Sequence, residues 1–321
     1  MNLLCHICTS TDKHKIYQCR EKMFGWGGEF IYYQCADCGC LQIATVPQDL
    51  GRFYPANYYS FRVRPISQHG LRSHLGAIRD RSMATGQGVV GRFINSFLPA
   101  RADVVELADV PVQTTSRILD VGCGRGELLS ILKRAGFSRV AGIDPYLPAD
   151  VEVLPGLLVR KLPIEQVQDK FDLIMLHHVF EHIQQGEAML ASCQQHLTAN
   201  GKLLLRFPTA DSDVWENYRE NWVQLDAPRH LFLHTRRSLE LLAKRTGLNI
   251  DRWFCDSTAF QFWGSELYRR DIPLFDASGN ANNPEMFFTP EEIRAFNAKS
   301  KLANAAQRGD QVVVILSRRN L

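Results

Sequence analysis

Three groups of residues in this chain have the types and spacing to do chemistry. The first is Asp120-Val-Gly122-Cys123-Gly124-Arg-Gly126, an acid followed by three alternating glycines. Glycines let the backbone approach a bound molecule, and the N-terminus of a following helix offers unpaired N–H groups. A dinucleotide site would read G-x-G-x-x-G. Here the spacing is G-x-G-x-G and position 127 is Glu. An acid two residues before Gly122 suits a cationic, amine-bearing ligand better than a pyrophosphate. Asp144, in G-I-D-P-Y, lies 18 residues after Gly126. An acid at the end of a second strand can accept from both hydroxyls of a ribose. Its purely structural role would be to start the Asp-Pro turn.

The second group is rich in histidine. One stretch reads His177-His178-Val-Phe-Glu181-His182 and another Asp226-Ala-Pro-Arg-His230-Leu-Phe-Leu-His234. Histidine titrates near pH 6.5, so it can take a proton from a hydroxyl or an acidic C–H. His230 is the first choice for such a base, followed by His182 or His178. A lone histidine more often caps a helix or satisfies a loop, but five fall on two expected rim loops. His178, Glu181, His182 and His230 could also form a mixed nitrogen and oxygen site for a divalent cation.

The third group is Cys5-x2-Cys8 and Cys35-x2-Cys38, separated by 26 residues that include Tyr17, Phe24, Trp26, Phe30, Tyr32 and Tyr33. Four thiolates at this spacing make a tetrahedral zinc site. Four protein ligands close the shell, so the expected zinc is structural. A segment this short buries little surface, and a metal would stand in for a core. Six of nine cysteines lie in the first 40 residues, and the N-terminus has no basic region followed by an apolar core. That clustering indicates metal rather than disulfides, and a reducing cytoplasmic location.

These residues need elements to hold them. Strand and helix alternate from residue 116, which predicts an α/β fold with a mostly parallel sheet covered on both faces. Strands are expected at 117–121, 139–144, near 157–160, at 171–177, 202–207, near 248–255 and at 311–317. The strand at 202–207 would be introduced by an Asn200-Gly201 turn. Helices are expected at 126–136, 186–197, 236–246, 258–270 and 290–307. Ligands bind at the carboxyl ends of such strands, which is where Asp120–Gly126, Asp144 and His177 fall. Three regions result: a cysteine-knuckle domain at 1–45, a connector and basic helical cap at 46–115, and the α/β domain with a C-terminal helical insertion at 116–321. The cap holds Arg62, Arg64, Arg72, Arg79, Arg81, Arg92 and Arg101 against Asp80 alone between 61 and 101. It could receive an anionic acceptor, because the guanidinium fork pairs with phosphate.

The motifs I-L-D-V-G-C-G-R-G, G-I-D and F-D-L-I-M-L-H-H-V-F-E-H-I resemble the successive motifs of class I S-adenosylmethionine-dependent methyltransferases over roughly 116–255. The resemblance implies a Rossmann-like, seven-stranded sheet whose last strand, 311–317, is antiparallel. It implies that Gly122, Cys123, Gly124 and Gly126 line the methyl donor, Asp120 sits near its amino-acid moiety, Asp144 holds the ribose, and His177 faces the methyl group. With the knuckles and the Y-P-A-N-Y-Y stretch after them, the chain resembles bacterial sugar methyltransferases carrying an N-terminal zinc-binding, zinc-ribbon-like domain. Their acceptors are nucleotide-linked or cell-surface sugars, methylated at oxygen or carbon. The E-x-x-E-H cation motif of ubiquinone-type and small-RNA O-methyltransferases is also approached, with His178 in place of the first Glu. A small-molecule, quinone-like acceptor is therefore the alternative. The (N/D)-P-P-(Y/F) sequence of amine methyltransferases acting on bases is absent.

Bulk composition sets the outer limits. The chain has 321 residues, 45% apolar and 22% charged, with a net charge of +3. No apolar run approaches the roughly 20 residues of a membrane helix. A charge of +3 does not by itself indicate nucleic acid. A nucleic-acid-binding zinc protein with a vestigial donor site would need a basic knuckle loop, and this loop is aromatic.

Overall fold

The computed structural model describes residues 3–55, 70–276 and 278–319. The chain opens with three antiparallel strands, β1 (Lys15–Glu21), β2 (Gly27–Gln34) and β3 (Leu41–Ile43). Helices α1 (Leu71–Thr85), α2 (Val89–Phe97) and the short α3 (Ala102–Val105) follow, the last continuing into a 3-10 turn at Glu106–Asp109. Next come β4 (Arg117–Val121), α4 (Glu127–Arg134), β5 (Arg139–Ile143), β6 (Val151–Leu154), β7 (Leu157–Arg160), β8 (Phe171–His177), α5 (Gly186–His196) and β9 (Leu197–Pro208). The remainder is α6 (Asp213–Tyr218), β10 (Phe232–Leu233), α7 (Arg236–Arg245), β11 (Leu248–Cys255), α8 (Phe260–Arg269), α9 (Pro290–Ala305) and β12 (Gln311–Arg318).

The main sheet has the order β11-β12-β9-β8-β4-β5-β7-β6. β12 runs antiparallel to both neighbours, as expected of the last strand. Alternate residues sort the core onto two faces, as strand geometry requires. Ile118, Leu173, Met175, Leu204 and Val313 pack with Val104, Leu107, Leu128 and Leu132 on one face. Leu119, Val121, Ile174, Leu203 and Leu205 pack with Leu190, Leu239 and Leu242 on the other. Strands buried on both faces read as apolar runs, which is why they were visible in sequence.

Two details differ from expectation. Among the described residues the main sheet has eight strands, not seven. The addition is β6, folded back antiparallel on β7 through Pro155-Gly156, where Gly156 has φ +71°. Asn200-Gly201 is not a turn before the fifth parallel strand. It lies inside the twelve-residue β9, where the pairing with β8 shifts register. A Cβ at Gly201 would sit 2.8 Å from the Phe171 carbonyl oxygen, so the glycine serves close backbone approach.

The cysteine segment is laid on the body of the fold. β10, from residues 232–233, is the fourth strand of its sheet and pairs with β3. Buried Cys5, Tyr32 and Leu41 belong to the same apolar cluster as Leu119 and Leu203. In the expected basic cap, Arg62, Arg64 and most of Y-P-A-N-Y-Y lie outside the described residues. Two arginines are spent on structure rather than left for an anion. Arg79 pairs with Asp80 at 2.7 Å and donates to the Leu98 and Pro99 carbonyls. Arg101 pairs with Asp103 at 2.6 Å and Glu127 at 2.9 Å. Arg72, Arg81 and Arg92 are exposed.

Candidate functional site

The glycine cradle follows directly from β4. Gly122, Gly124 and Gly126 have φ of +71°, +53° and +72°, the left-handed region that side chains with a Cβ resist. The turn folds back onto β5, with the Gly122 N–H donating to Ile143 O at 2.8 Å. Asp144 ties the ends of β4 and β5 together. One carboxylate oxygen accepts from Gly124 N–H at 3.0 Å and the other from Tyr146 N–H at 2.9 Å. An ionised carboxylate has about four acceptor positions, so two remain for donors on a ligand. A Cβ at Gly122 would lie 2.6 Å from Val179 Cγ2, which brings the cradle against the loop after β8. Cys123 contributes backbone only: its sulfur packs where a Cβ on Gly142 would be, 2.6 Å away. Asp120 is buried beneath the cradle. Burial pushes its carboxyl up to about 8, and nearby Asp103 and Asp144 push the same way. A cation placed beside it would reverse that shift.

The second centre sits at the carboxyl end of β8. Glu181, Asp226 and His230 are buried there, and His182 is half-buried. One ligand atom each from Glu181, His182 and His230 lie within 4.8 Å of one another. The nearest side-chain nitrogen to the Glu181 carboxylate is His178 Nδ1, 3.4 Å from Oε1, and Oε2 has no hydrogen-bond partner among the described residues. Burial would raise its pKa, but His178, His182 and His230 outweigh it and hold the carboxyl near 2. The two histidines are turned the same way. His182 Nδ1 lies 2.8 Å from Arg229 O, and His230 Nδ1 lies 2.7 Å from Gln224 O. A carbonyl only accepts, so each Nδ1 carries the hydrogen and each Nε2 keeps its lone pair. His230 Nε2 is 3.9 Å from Glu181 and 3.8 Å from Asp226. Burial, with His182 adding to it, pushes His230 down to about 4, so the ring is neutral at pH 7.

His178 has a different role. Its Nε2 faces the Arg206 guanidinium at 3.3 Å and its Nδ1 faces Glu181 at 3.4 Å. A guanidinium only donates, so Nε2 accepts and the Nδ1 hydrogen points at Glu181. No lone pair is left over for a metal. Its backbone is left-handed at φ +54°, a strained state found at functional sites. His234 is a core residue, 1% exposed, hydrogen-bonded to Ser238 and stacked between Phe180 and Phe232. His177 turns to the face shared with Asp120, where its Nδ1 is 3.9 Å from Glu106.

Several members of this region carry little signal in sequence. Arg229 is fully buried, donates to Asp226 and to Glu21 at 2.7 Å, and lies over the Phe24 ring. Tyr54 OH lies 3.2 Å from His182 Nδ1. Arg206 is held by Glu106 at 2.8 Å and Asp256 at 2.6 Å. A charged residue ending the apolar run K-L-L-L-R-F was the available clue to Arg206, and Tyr54 opens the Y-P-A-N-Y-Y stretch; Glu21 had none.

The four cysteines of the knuckles converge as well. Cys5 Sγ is 3.6 Å from Cys38 Sγ, and Cys8 Sγ is 3.4 Å from Cys35 Sγ. All four sulfurs lie within 4.8 Å of one another. Zinc–sulfur bonds of about 2.3 Å at tetrahedral angles place sulfurs about 3.8 Å apart, so the set fits a zinc ion. Cys19 and Cys40 stand outside it.

A parallel sheet with an antiparallel last strand, a glycine cradle after its first strand and an acid after its second define a class I S-adenosylmethionine-dependent methyltransferase. Residues 91–252, half of the chain, match the family described as "Methyltransferase domain". The chain belongs to that family. A Ubiquinone biosynthesis O-methyltransferase from Rhodopseudomonas palustris (strain HaA2) is 31% identical over 99 residues, covering 28% of this chain and 38% of that protein. Its namesake from strain TIE-1 is 24% identical over 168 residues, covering 43% of this chain and 64% of that protein. The matched part therefore spans less than two thirds of these relatives. Among solved structures, a SAM-dependent methyltransferase from Archaeoglobus fulgidus is similar at 20% identity and a TM-score of 0.43, over 72% of this chain and all of that one. No helix among the described residues is long and apolar enough to cross a membrane.

Proposed function

We propose that the chain methylates a hydroxyl oxygen, that Glu181, His182 and His230 hold a divalent cation beside that oxygen, and that Cys5, Cys8, Cys35 and Cys38 hold a structural zinc. The observation that carries the reading is the buried Glu181 carboxylate, which meets the protein through one 3.4 Å contact from His178 and is faced by His230 Nε2. Histidine ligands of metals characteristically anchor Nδ1–H on a carbonyl or carboxylate, as His182 and His230 do. A divalent cation there would lower the pKa of a bound hydroxyl. His230 near 4 takes a proton weakly, which suits a ligand better than a free base. Asp226, 3.8 Å from His230, is its charged neighbour, and His178 orients Glu181.

On the donor side, Asp144 takes the ribose, the glycine N–H groups line the ligand, and Asp120 lies near the cationic moiety. The donor supplies a methyl group activated on sulfonium, and much of the rate comes from holding nucleophile and methyl in line. His177 borders this space from the end of β8.

The acceptor we favour is a sugar, nucleotide-sugar or glycan hydroxyl, supported by the combination of cysteine knuckles with the methyltransferase domain. The relatives named for ubiquinone biosynthesis favour a second reading, a phenolic hydroxyl on a quinone precursor. Both are tested by a donor-turnover screen against nucleotide sugars, lipid-linked glycans and catechols. EDTA should abolish turnover and magnesium or manganese restore it, with the cysteine zinc retained throughout. Turnover indifferent to chelation would return the role of base to His230.

A further inference from the structure

The loop that presents His230 is anchored by the cysteine segment. Tyr32, on β2, is buried, and its hydroxyl donates to the His230 carbonyl at 2.8 Å. One residue earlier, Arg229 is gripped by Glu21 at the end of β1. One residue later, Leu231 O accepts from Ile43 N–H at 3.0 Å, while Leu231 N–H donates to Glu181 O at 2.8 Å. Phe232 and Leu233 then pair with Gln42 and Leu41. Thr235 closes the loop by donating to the Cys38 carbonyl.

The same sheet is fastened to the four sulfurs. Gln42 donates through Nε2 to Cys5 Sγ at 3.0 Å and accepts from His6 N–H at 3.1 Å. Gln42 therefore touches a metal-site sulfur with its side chain and faces Phe232 with its backbone. Only Leu231 separates that contact from His230. The donor cradle differs: among the described residues, no hydrogen bond joins 120–126 or Asp144 to residues 3–45. A small cysteine-held unit owes its fold to its metal. Loss of a metal held by the four cysteines would release Tyr32, Gln42 and Ile43 together.

We infer that the cysteine-held sheet is a working part of the acceptor site: Tyr32 is a positioning residue for His230, and the metal state of the four cysteines decides whether His230 faces Glu181 and His182. Donor binding stands apart from this control. The inference rests on the reading of Glu181, His182 and His230 as the acceptor centre.

The test uses the full chain with three probes: S-adenosylhomocysteine affinity by calorimetry, Mn2+ affinity by electron paramagnetic resonance, and the ring signals of 15N-labelled histidines. In Tyr32→Phe, S-adenosylhomocysteine affinity should stay within about twofold. Mn2+ affinity should fall about 10–100-fold, the usual effect of losing an outer-shell partner. The His230 and His182 ring signals should move while those of exposed His74 and half-buried His196 stay. Stripping zinc with a mercurial, followed by a chromogenic chelator, should reproduce this pattern, and thiol plus zinc should reverse it. Unmoved His230 signals in Tyr32→Phe would overturn the inference. So would loss of S-adenosylhomocysteine binding in step with zinc, because the knuckle would then hold the whole fold. The underlying reading fails separately: wild-type Mn2+ affinity in His230→Ala would remove the acceptor centre itself, whatever Tyr32 does.

Discussion

The donor cradle and the histidine centre lie side by side at the carboxyl ends of the same strands, yet they are built in opposite ways. The cradle is one strand, one turn and the start of one helix, with Asp144 added from the neighbouring strand. The histidine centre draws on six separated segments: Glu21 from β1, Tyr32 from β2, Tyr54 from the connector, Glu181 and His182 after β8, Arg206 from β9, and Asp226–His230 before β10. In the first, backbone N–H groups and chain geometry make the site. In the second, buried charges and tautomers make it. A backbone cradle tolerates change around it, whereas a web of buried charges transmits it, because each unpaired member costs several kcal/mol.

Three measurements can break or sharpen that contrast. The largest effect is expected from Glu181→Gln, which keeps the shape and removes the charge. Turnover should fall roughly 10²–10⁴-fold, the range expected when the acceptor hydroxyl loses the cation's help in shedding its proton, with donor affinity unchanged. A parallel loss of donor binding would show that the two centres are one. Next is Asp144→Ala. Charge-assisted hydrogen bonds contribute about 1.5–3 kcal/mol each, and two are expected to the ribose. Donor affinity should drop by at least about 100-fold in calorimetry while the histidine ring signals stay in place. Undiminished affinity would mean that another group holds the ribose.

The smallest effect is on stability against acid. His230 is depressed to about 4 and His234 to about 3 by burial, against about 6.5 in an unfolded chain. Below pH 6.5 the unfolded chain binds protons that these folded rings refuse. Stability should therefore decline as pH falls from about 6.5 to 4, each ring contributing on the order of a few kcal/mol. Replacing His234 with a neutral residue of similar volume should flatten the urea midpoint against pH in that window. An unchanged slope would show that the ring is not held neutral.

Legibility followed the same division. The strands at 117–121 and 171–177 were readable because burial on both faces makes continuous apolar runs. The helix after the cradle was readable from its apolar period and from Gly126 at its start. β6 was not, since four half-exposed residues make no pattern long enough to distinguish from a loop. At 61–101 the two helices were visible. The use of their arginines was not, because whether Arg79 meets an anion or two carbonyls depends on where α2 ends.

Among the histidines, sequence placed five on two rims and put His230 first, but it did not show what each ring would face. His234 went to the core, His177 to the Glu106 side, and His178 to orienting Glu181. Only the packing of the cysteine sheet against the 226–235 loop decided that His230 faces Glu181 and His182.

What the sequence determined alone is whatever depends on neighbours along the chain: the glycine turn, the acid before it, the acid after the second strand, and two pairs of cysteines. Backbone conformation and ligand spacing are local properties, and a few residue types specify them. What only the tertiary structure decided is which nitrogen of each histidine carries its hydrogen and which carboxylate is buried among them. Those depend on partners such as Tyr32 and Glu21, roughly 200 positions away, and on burial, which no local pattern encodes.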